Sequence, residues 1–226
     1  MNDSVLISVG LPVALAIIMF GLGLSLQVAD FRRVARTPRA VVVALGLQVL
    51  VLPVIAFGLV VAFDLDPLLA VGVMLLAASP GGTTANLFSH LFHGDVALNI
   101  TLTAINSVLA AVTIPLVTNL AIGYFDTDGD LGLQWAKVVQ VIAIVLVPVA
   151  IGMLVRRWSS AFAARADKPV RVFSIVVLVA VAVGALLGER ENLGGYLQQV
   201  GIVTGLLCVL SLSLGYAGAR LARLDQ

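Results

Sequence analysis

Seven stretches of this chain, roughly residues 4–29, 40–63, 67–92, 96–123, 138–155, 171–188 and 196–219, are apolar along their length, with no Asp, Glu, Lys or Arg in their interiors. A helix needs about 20 such residues to cross the hydrocarbon core of a bilayer, and a charge at its centre costs on the order of 3 kcal/mol. Segments this long and this free of charge are predicted to span a membrane. The composition agrees, with 61% of residues hydrophobic, 11% charged and a mean hydropathy of +1.12. A soluble domain has nearer half and a quarter. A spanning β-barrel would alternate apolar and polar residues over about ten positions at a time, which "VVQVIAIVLVPVAIGMLV" does not do. The predicted fold class is an all-α integral membrane protein, a helical bundle forming a single transmembrane domain over residues 1–226 with the lipid bilayer as its surroundings. The first segment does not read as a cleaved leader, because "MNDS" carries Asp3 in place of a basic cluster and the apolar run is too long.

Lys and Arg accumulate in cytoplasmic loops, so the loops orient the bundle. With the N-terminus outside, "DFRRVARTPR", "RRWSSAFAARADKPVR" and "ARLARLDQ" all fall inside and carry eleven of the thirteen Lys and Arg, leaving Lys137 and Arg190 outside. Asp3, Asp64, Asp66, Asp126, Asp128, Asp130, Glu189 and Glu191 fall outside. The predicted location is the cell inner (plasma) membrane, multi-pass, with the C-terminus cytoplasmic. A net charge of +1 gives no reason to expect nucleic acid as a partner. The single Cys208 allows no intramolecular disulfide and reads as a packing residue.

The third segment is interrupted by "AASPGGTTAN". Pro80 removes a backbone donor and crowds the preceding turn, and Gly81 and Gly82 weaken the helix further. We therefore expect a discontinuous helix at Ser79 to Gly82. Unpaired backbone groups survive at membrane depth only beside protein or a water-lined cavity, so the break predicts a polar pocket around residues 79–84. The second half-helix would begin near Thr83, and its free N–H groups suit an anion; carbonyls ending the first half suit a cation. Thr83 and Thr84 are thus candidate substrate-binding residues. A proline kink is the competing reading, and the run of Ser, Pro, two Gly, two Thr and Asn argues against it.

In the fourth segment Asn99, Thr103 and Asn106 or Ser107 recur at helical spacing along one face. Such a stripe either forms interhelical hydrogen bonds or lines a site, and the neighbouring break favours a site. Gln48, in "LGLQVLVLP", is a lone polar residue near mid-membrane; taken alone it reads as a packing amide.

"FGLGLSLQVADFRRVARTPRA", "SPGGTTAN", "GDVALNITLTAINSVLA" with Pro115, and "LGYAGARLARL" occur in order along essentially the whole chain. Together they resemble the bile acid:sodium symporter family. The resemblance implies a partial inverted-repeat fold in which a core domain moves against a panel domain. Segments two, three, four and seven would belong to the core, and one, five and six to the panel. It also implies sodium-coupled import of an organic anion, bile-acid-like, carboxylate or sulfonate, by alternating access, with Na+ as coupling ion and no enzymatic activity. Carried over by position, the first sodium site falls on Asn86, Asn99 and Thr103, with Ala85 where the family commonly has serine. Asn99 itself stands where serine is usual, so its amide oxygen is a candidate replacement for the missing ligand. Gln48 falls on a position of the second sodium site. The family's second broken helix, carrying a Glu and a Gln, would follow Gln226, and an additional first helix found in many members is absent, so the chain is expected to be a truncated fragment. The sequence leaves substrate identity, sodium stoichiometry and oligomeric state open.

Other classes fit less well. A retinal protein needs a lysine in its last helix, and the seventh segment has none. A membrane ligand-binding protein or a transport-inactive homologue is the alternative reading, and a channel would also use unwound backbone. His90, His93 and Asp95 lie close enough in "SHLFHGD" to raise a metal site, but a third fixed ligand is not evident.

Overall fold

The structure, a computed structural model, describes residues 11–26, 38–81, 85, 89, 91, 94–125, 135–190 and 192–224. Among these residues all regular structure is helical: α1 (Leu11–Ser25), α2 (Pro38–Gly46), a π-helical turn (Leu47–Val51), α3 (Leu52–Ala62), α4 (Pro67–Ala78), α5 (Val96–Phe125), α6 (Trp135–Trp158), α7 (Ser160–Gly188) and α8 (Leu193–Leu221). The spans Pro38–Ala62, Leu98–Phe125, Ser160–Gly188 and Leu193–Leu221 are each long and apolar enough to cross a membrane. The chain is an all-α membrane protein.

The second segment is one continuous span whose ladder widens in the middle. Pro53, just inside α3, has no N–H to offer the carbonyl one α-turn back, and its ring crowds that carbonyl. A π-turn relieves the crowding. The Leu52 N–H reaches back to the Leu47 carbonyl, one residue further than in an α-helix.

Between α3 and α4 the chain reverses without a glycine. Asp64 takes the left-handed conformation at φ 49°, which aspartate tolerates better than most residues. Its N–H bonds to Val61 O at 3.3 Å and the Leu65 N–H bonds to Val60 O at 3.2 Å, the two-bond pattern that closes helix C-termini. Leu65 is buried with Val60 in the adjoining core. Arg223 ends α8 in the same way, with φ 50° and bonds from Arg223 N to Arg220 O and from Leu224 N to Ala219 O.

Between α6 and α7 the structure corrects the sequence reading. By composition "WSSAFAARADKP" reads as a connection, yet α7 starts at Ser160 and leaves Ser159 alone between the helices. The Ser159 hydroxyl accepts the Phe162 N–H at 3.3 Å, capping α7. The alanines beyond it are strong helix formers, which carries the helix through this polar stretch.

The chain falls into two compact units. One contains α1, α6 and α7; the other contains α2 to α5 with the π-turn, and α8. In the first unit the helices meet at glycines. A Cβ on Gly23 would strike the Val149 carbonyl, and one on Gly152 the Phe20 carbonyl. Small residues allow this close backbone approach, on which helix packing in membranes relies. Arg156 Nη1 donates to Leu24 O at 2.6 Å, so a cation caps the C-terminal end of α1. In the second unit Ala56, Val60, Ala70, Val73, Met74, Ala77, Ala121, Val203 and Leu207 form the core, drawn from α3, α4, α5 and α8. Phe57 packs edge-on against Tyr124 at 4.9 Å between ring centres, tying α3 to the end of α5. Cys208, expected to be a packing residue, is exposed on α8.

Candidate functional site

Helix α4 has only 12 residues. At 1.5 Å per residue it is about 18 Å long, against a hydrocarbon core of about 30 Å. Alone it is too short to cross that core. The stop has a local cause, because proline disfavours the α conformation in the residue before it. Ser79 is extended, at φ −69° and ψ 139°. Pro80 and Gly81 continue without helix, and helical structure is present again at Ala85 and Ser89. The interruption expected from Ser79 onward is thus found, with Gly82 outside the described residues.

The last carbonyls of a helix lack intrahelical donors. Here Ser79 answers two of them: its N–H bonds to Leu76 O at 3.2 Å and its hydroxyl donates to Leu75 O at 2.9 Å. Ser79's own carbonyl accepts the side-chain amide of Gln48, at 3.1 Å from Nε2. Gln48 thus makes an interhelical hydrogen bond, as the packing-amide reading expects, and the carbonyl it holds is the one at the broken end of α4. It does so from the π-turn, a helical irregularity frequent at functional sites.

The following helix begins at Asp95. Its carboxylate accepts the Leu98 N–H at 2.9 Å and its carbonyl accepts the Asn99 N–H at 3.0 Å, so Asp95 is an N-cap. Among the described residues no three His, Cys, Asp or Glu lie close enough to hold a metal ion; His90 and His93 lie outside them. Asn99 Nδ2 donates to Ser89 Oγ at 3.0 Å. One turn further along α5, the Thr103 carbonyl accepts the Ser107 hydroxyl at 2.7 Å. Asn106, offered as an alternative stripe member, is 8% exposed, and Thr101 is 1% exposed. The predicted stripe is thereby divided between Asn99, Thr103 and Ser107 at four-residue intervals and a buried Asn106.

Of the candidate residues, Gln48, Asn99 and Thr103 are described and all belong to the second unit. Thr83, Thr84 and Asn86 lie outside the described residues. Reading the sequence missed Ser89, Thr101 and the π-turn. Ser89 had a signal, since it falls four residues after Ala85 and three after Asn86, at helical spacing. The π-turn was marked by Pro53 inside an apolar span. Chemically, the neutral amide and hydroxyl oxygens carried by Gln48, Asn99 and Thr103 are of the type that small hard cations prefer.

The profile of the sodium bile acid symporter family matches residues 12–195. An uncharacterized sodium-dependent transporter of Bacillus subtilis is 32% identical over 224 residues, covering 95% of this chain and 68% of that protein. The human ileal sodium/bile acid cotransporter is 29% identical over 227 residues, covering 98% and 63%. A probable chloroplastic sodium/metabolite cotransporter of Oryza sativa subsp. japonica is 31% identical over 210 residues, covering 90% and 48%. The chain thus spans about half to two-thirds of the length of these curated relatives. With the family profile covering most of the sequence and the interrupted helix at its centre, the chain belongs to the sodium bile acid symporter family.

Proposed function

We propose that this protein serves as a secondary active transporter that couples Na+ entry to the import of an organic anion by alternating access. The observation that carries the reading is the end of α4 at Ser79, whose carbonyl is held by Gln48 from a π-turn. Helices broken near the midplane are the ion and substrate sites of secondary transporters. In this reading Asn86, Asn99 and Thr103 hold one Na+, Gln48 contributes to a second, and Thr83 and Thr84 meet the anion where the second half-helix begins. The two compact units support a moving-domain mechanism: α1, α6 and α7 correspond to the panel, and α2 to α5 with α8 to the core of a partial inverted-repeat fold. The names of the relatives, sodium-dependent transporters and bile acid or metabolite cotransporters, support transport rather than catalysis.

Energetics favour use of both sodium sites. A tenfold Na+ gradient supplies about 1.4 kcal/mol per ion. One Na+ with a monovalent anion is electroneutral and gains nothing from the membrane potential. A second Na+ doubles the gradient contribution and adds about 2.3 kcal/mol per 100 mV.

The test is uptake into membrane vesicles bearing the protein expressed from its own gene. A labelled bile-acid conjugate, a short carboxylate and an alkyl sulfonate are each supplied under an inward Na+ gradient and again with K+ in its place. Accumulation of at least one anion is expected to depend on Na+. Equal uptake in K+ would overturn the proposal.

A further inference from the structure

In the first compact unit the ends of α1 and α6 and the start of α7 gather at one end. The backbones of α1 and α6 meet at Gly23 and Gly152, Arg156 reaches the Leu24 carbonyl, and Val170 of α7 lies against Gly21. This end is strongly basic: residues 156–171 carry Arg156, Arg157, Arg165, Lys168 and Arg171 against Asp167 alone. Arg156 is engaged by α1. Arg157, Arg165 and Lys168 are exposed and have no partner among the described residues.

Helix α7 fixes the depth of these cations. Its 29 residues make it about 43 Å long, against about 30 Å of hydrocarbon. Between Arg171 and Glu189 no charged residue occurs, and that stretch takes up about 26 Å. The turns before it therefore pass through the headgroup layer. Lys168 and Arg165 lie about 4.5 and 9 Å beyond Arg171 along the axis, at the depths where lipid phosphates are found. Trp158 and Phe162 are exposed beside them, and aromatic rings settle at the same boundary.

We propose that Arg157, Arg165 and Lys168 form a binding surface for the headgroups of anionic phospholipids, held there in preference to zwitterionic ones. The partner is a lipid because the cations are carried on the helix that continues as the apolar span, which places them against the phosphate layer whichever way the bundle is inserted. Charge complementarity supplies the attraction, and a guanidinium matches a phosphate with paired donors. A charge asymmetry that served topology alone would give no such preference between lipids.

The chain has two tryptophans, Trp135 and Trp158, so Trp135→Phe in the full-length protein leaves Trp158 as a reporter of this surface. The protein is reconstituted into phosphatidylcholine vesicles containing phosphatidylglycerol, with bromine on the chains of one lipid or the other to quench tryptophan on contact. Competition gives the relative binding constant of the two lipids at Trp158. One cation beside an anionic lipid surface is worth about fivefold. Phosphatidylglycerol is therefore expected to be favoured by at least about fivefold. The preference should fall in each of Arg157→Gln, Arg165→Gln and Lys168→Gln and approach unity in the triple variant. Arg190→Gln, beyond the other end of α7, should leave it unchanged. Equal binding of the two lipids by the unsubstituted protein would overturn the proposal, as would a preference that survives all three substitutions. Loss of the preference on adding millimolar glycerol 3-phosphate would overturn it too, by marking the surface as a site for soluble phosphates.

Discussion

Gln48 shows how far a single side chain can be interpreted before its neighbours are known. In the sequence it is one amide in an apolar helix, for which interhelical hydrogen bonding is the ordinary explanation. In the structure its partner is the carbonyl of Ser79, 31 positions away, at the terminus of a broken helix. The amide does make an interhelical hydrogen bond, and the structure adds where it is made, at the broken end of α4. Ala85 and Asn86 pose the converse case, since the family resemblance assigns them and the geometry around Asn86 is not described. If Asn86 supplies an oxygen to the first sodium site, Asn86→Ala in the complete protein should weaken the Na+ dependence of uptake by tenfold or more, on the order of 1.4 kcal/mol. Ala85→Ser adds an oxygen instead of removing one and should leave Na+ dependence within about twofold. Measuring Na+ activation curves for both variants checks the assignment, and equal losses would count against it.

At the level of elements, prolines and glycines decide where helices bend, stop and touch. Pro80 stops α4 through the conformation it imposes on Ser79, and Pro53 accompanies a π-turn in place of a stop. The difference lies in the residues on the C-terminal side of each proline: Gly81 and Gly82 after Pro80, a strongly apolar helix after Pro53. Glycines divide likewise. Gly23 is pressed against the Val149 backbone, while Gly58 has no atom within 4 Å of where a Cβ would be. Gly23→Ala should force α1 and α6 apart, at a cost of about 1–3 kcal/mol by analogy with overpacked cores. Gly58→Ala should be neutral or stabilising by up to about 1 kcal/mol through helix propensity. Thermal midpoints of the two purified variants in one detergent give the comparison, with a clear fall expected for Gly23→Ala alone.

For the whole molecule, the asymmetry of Lys and Arg predicts a topology that can be measured directly. In a Cys208→Ser background, Asp66→Cys in the turn before α4 should react with a membrane-impermeant maleimide in intact cells. Leu224→Cys, past the end of α8, should react only in inverted vesicles. The reverse pattern would mean that the bundle is inserted the other way. Sequence alone was enough to establish that the chain is an all-α membrane protein, where most of its helices lie, and that the third segment is interrupted. Those features are local, because apolar length, charge exclusion and the steric demands of Pro80 act within a few residues of where they are written. Family membership was also legible, from motifs that run the length of the chain. Other features needed the packed fold. The grouping of α1 with α6 and α7 was already implied by the family resemblance, but that Gln48 meets Ser79 and that Asn99 meets Ser89 depend on which segments lie side by side. Uniform apolar surfaces do not encode that choice locally; it emerges from backbone approaches that only glycines permit and from polar groups that must find a partner where water is excluded.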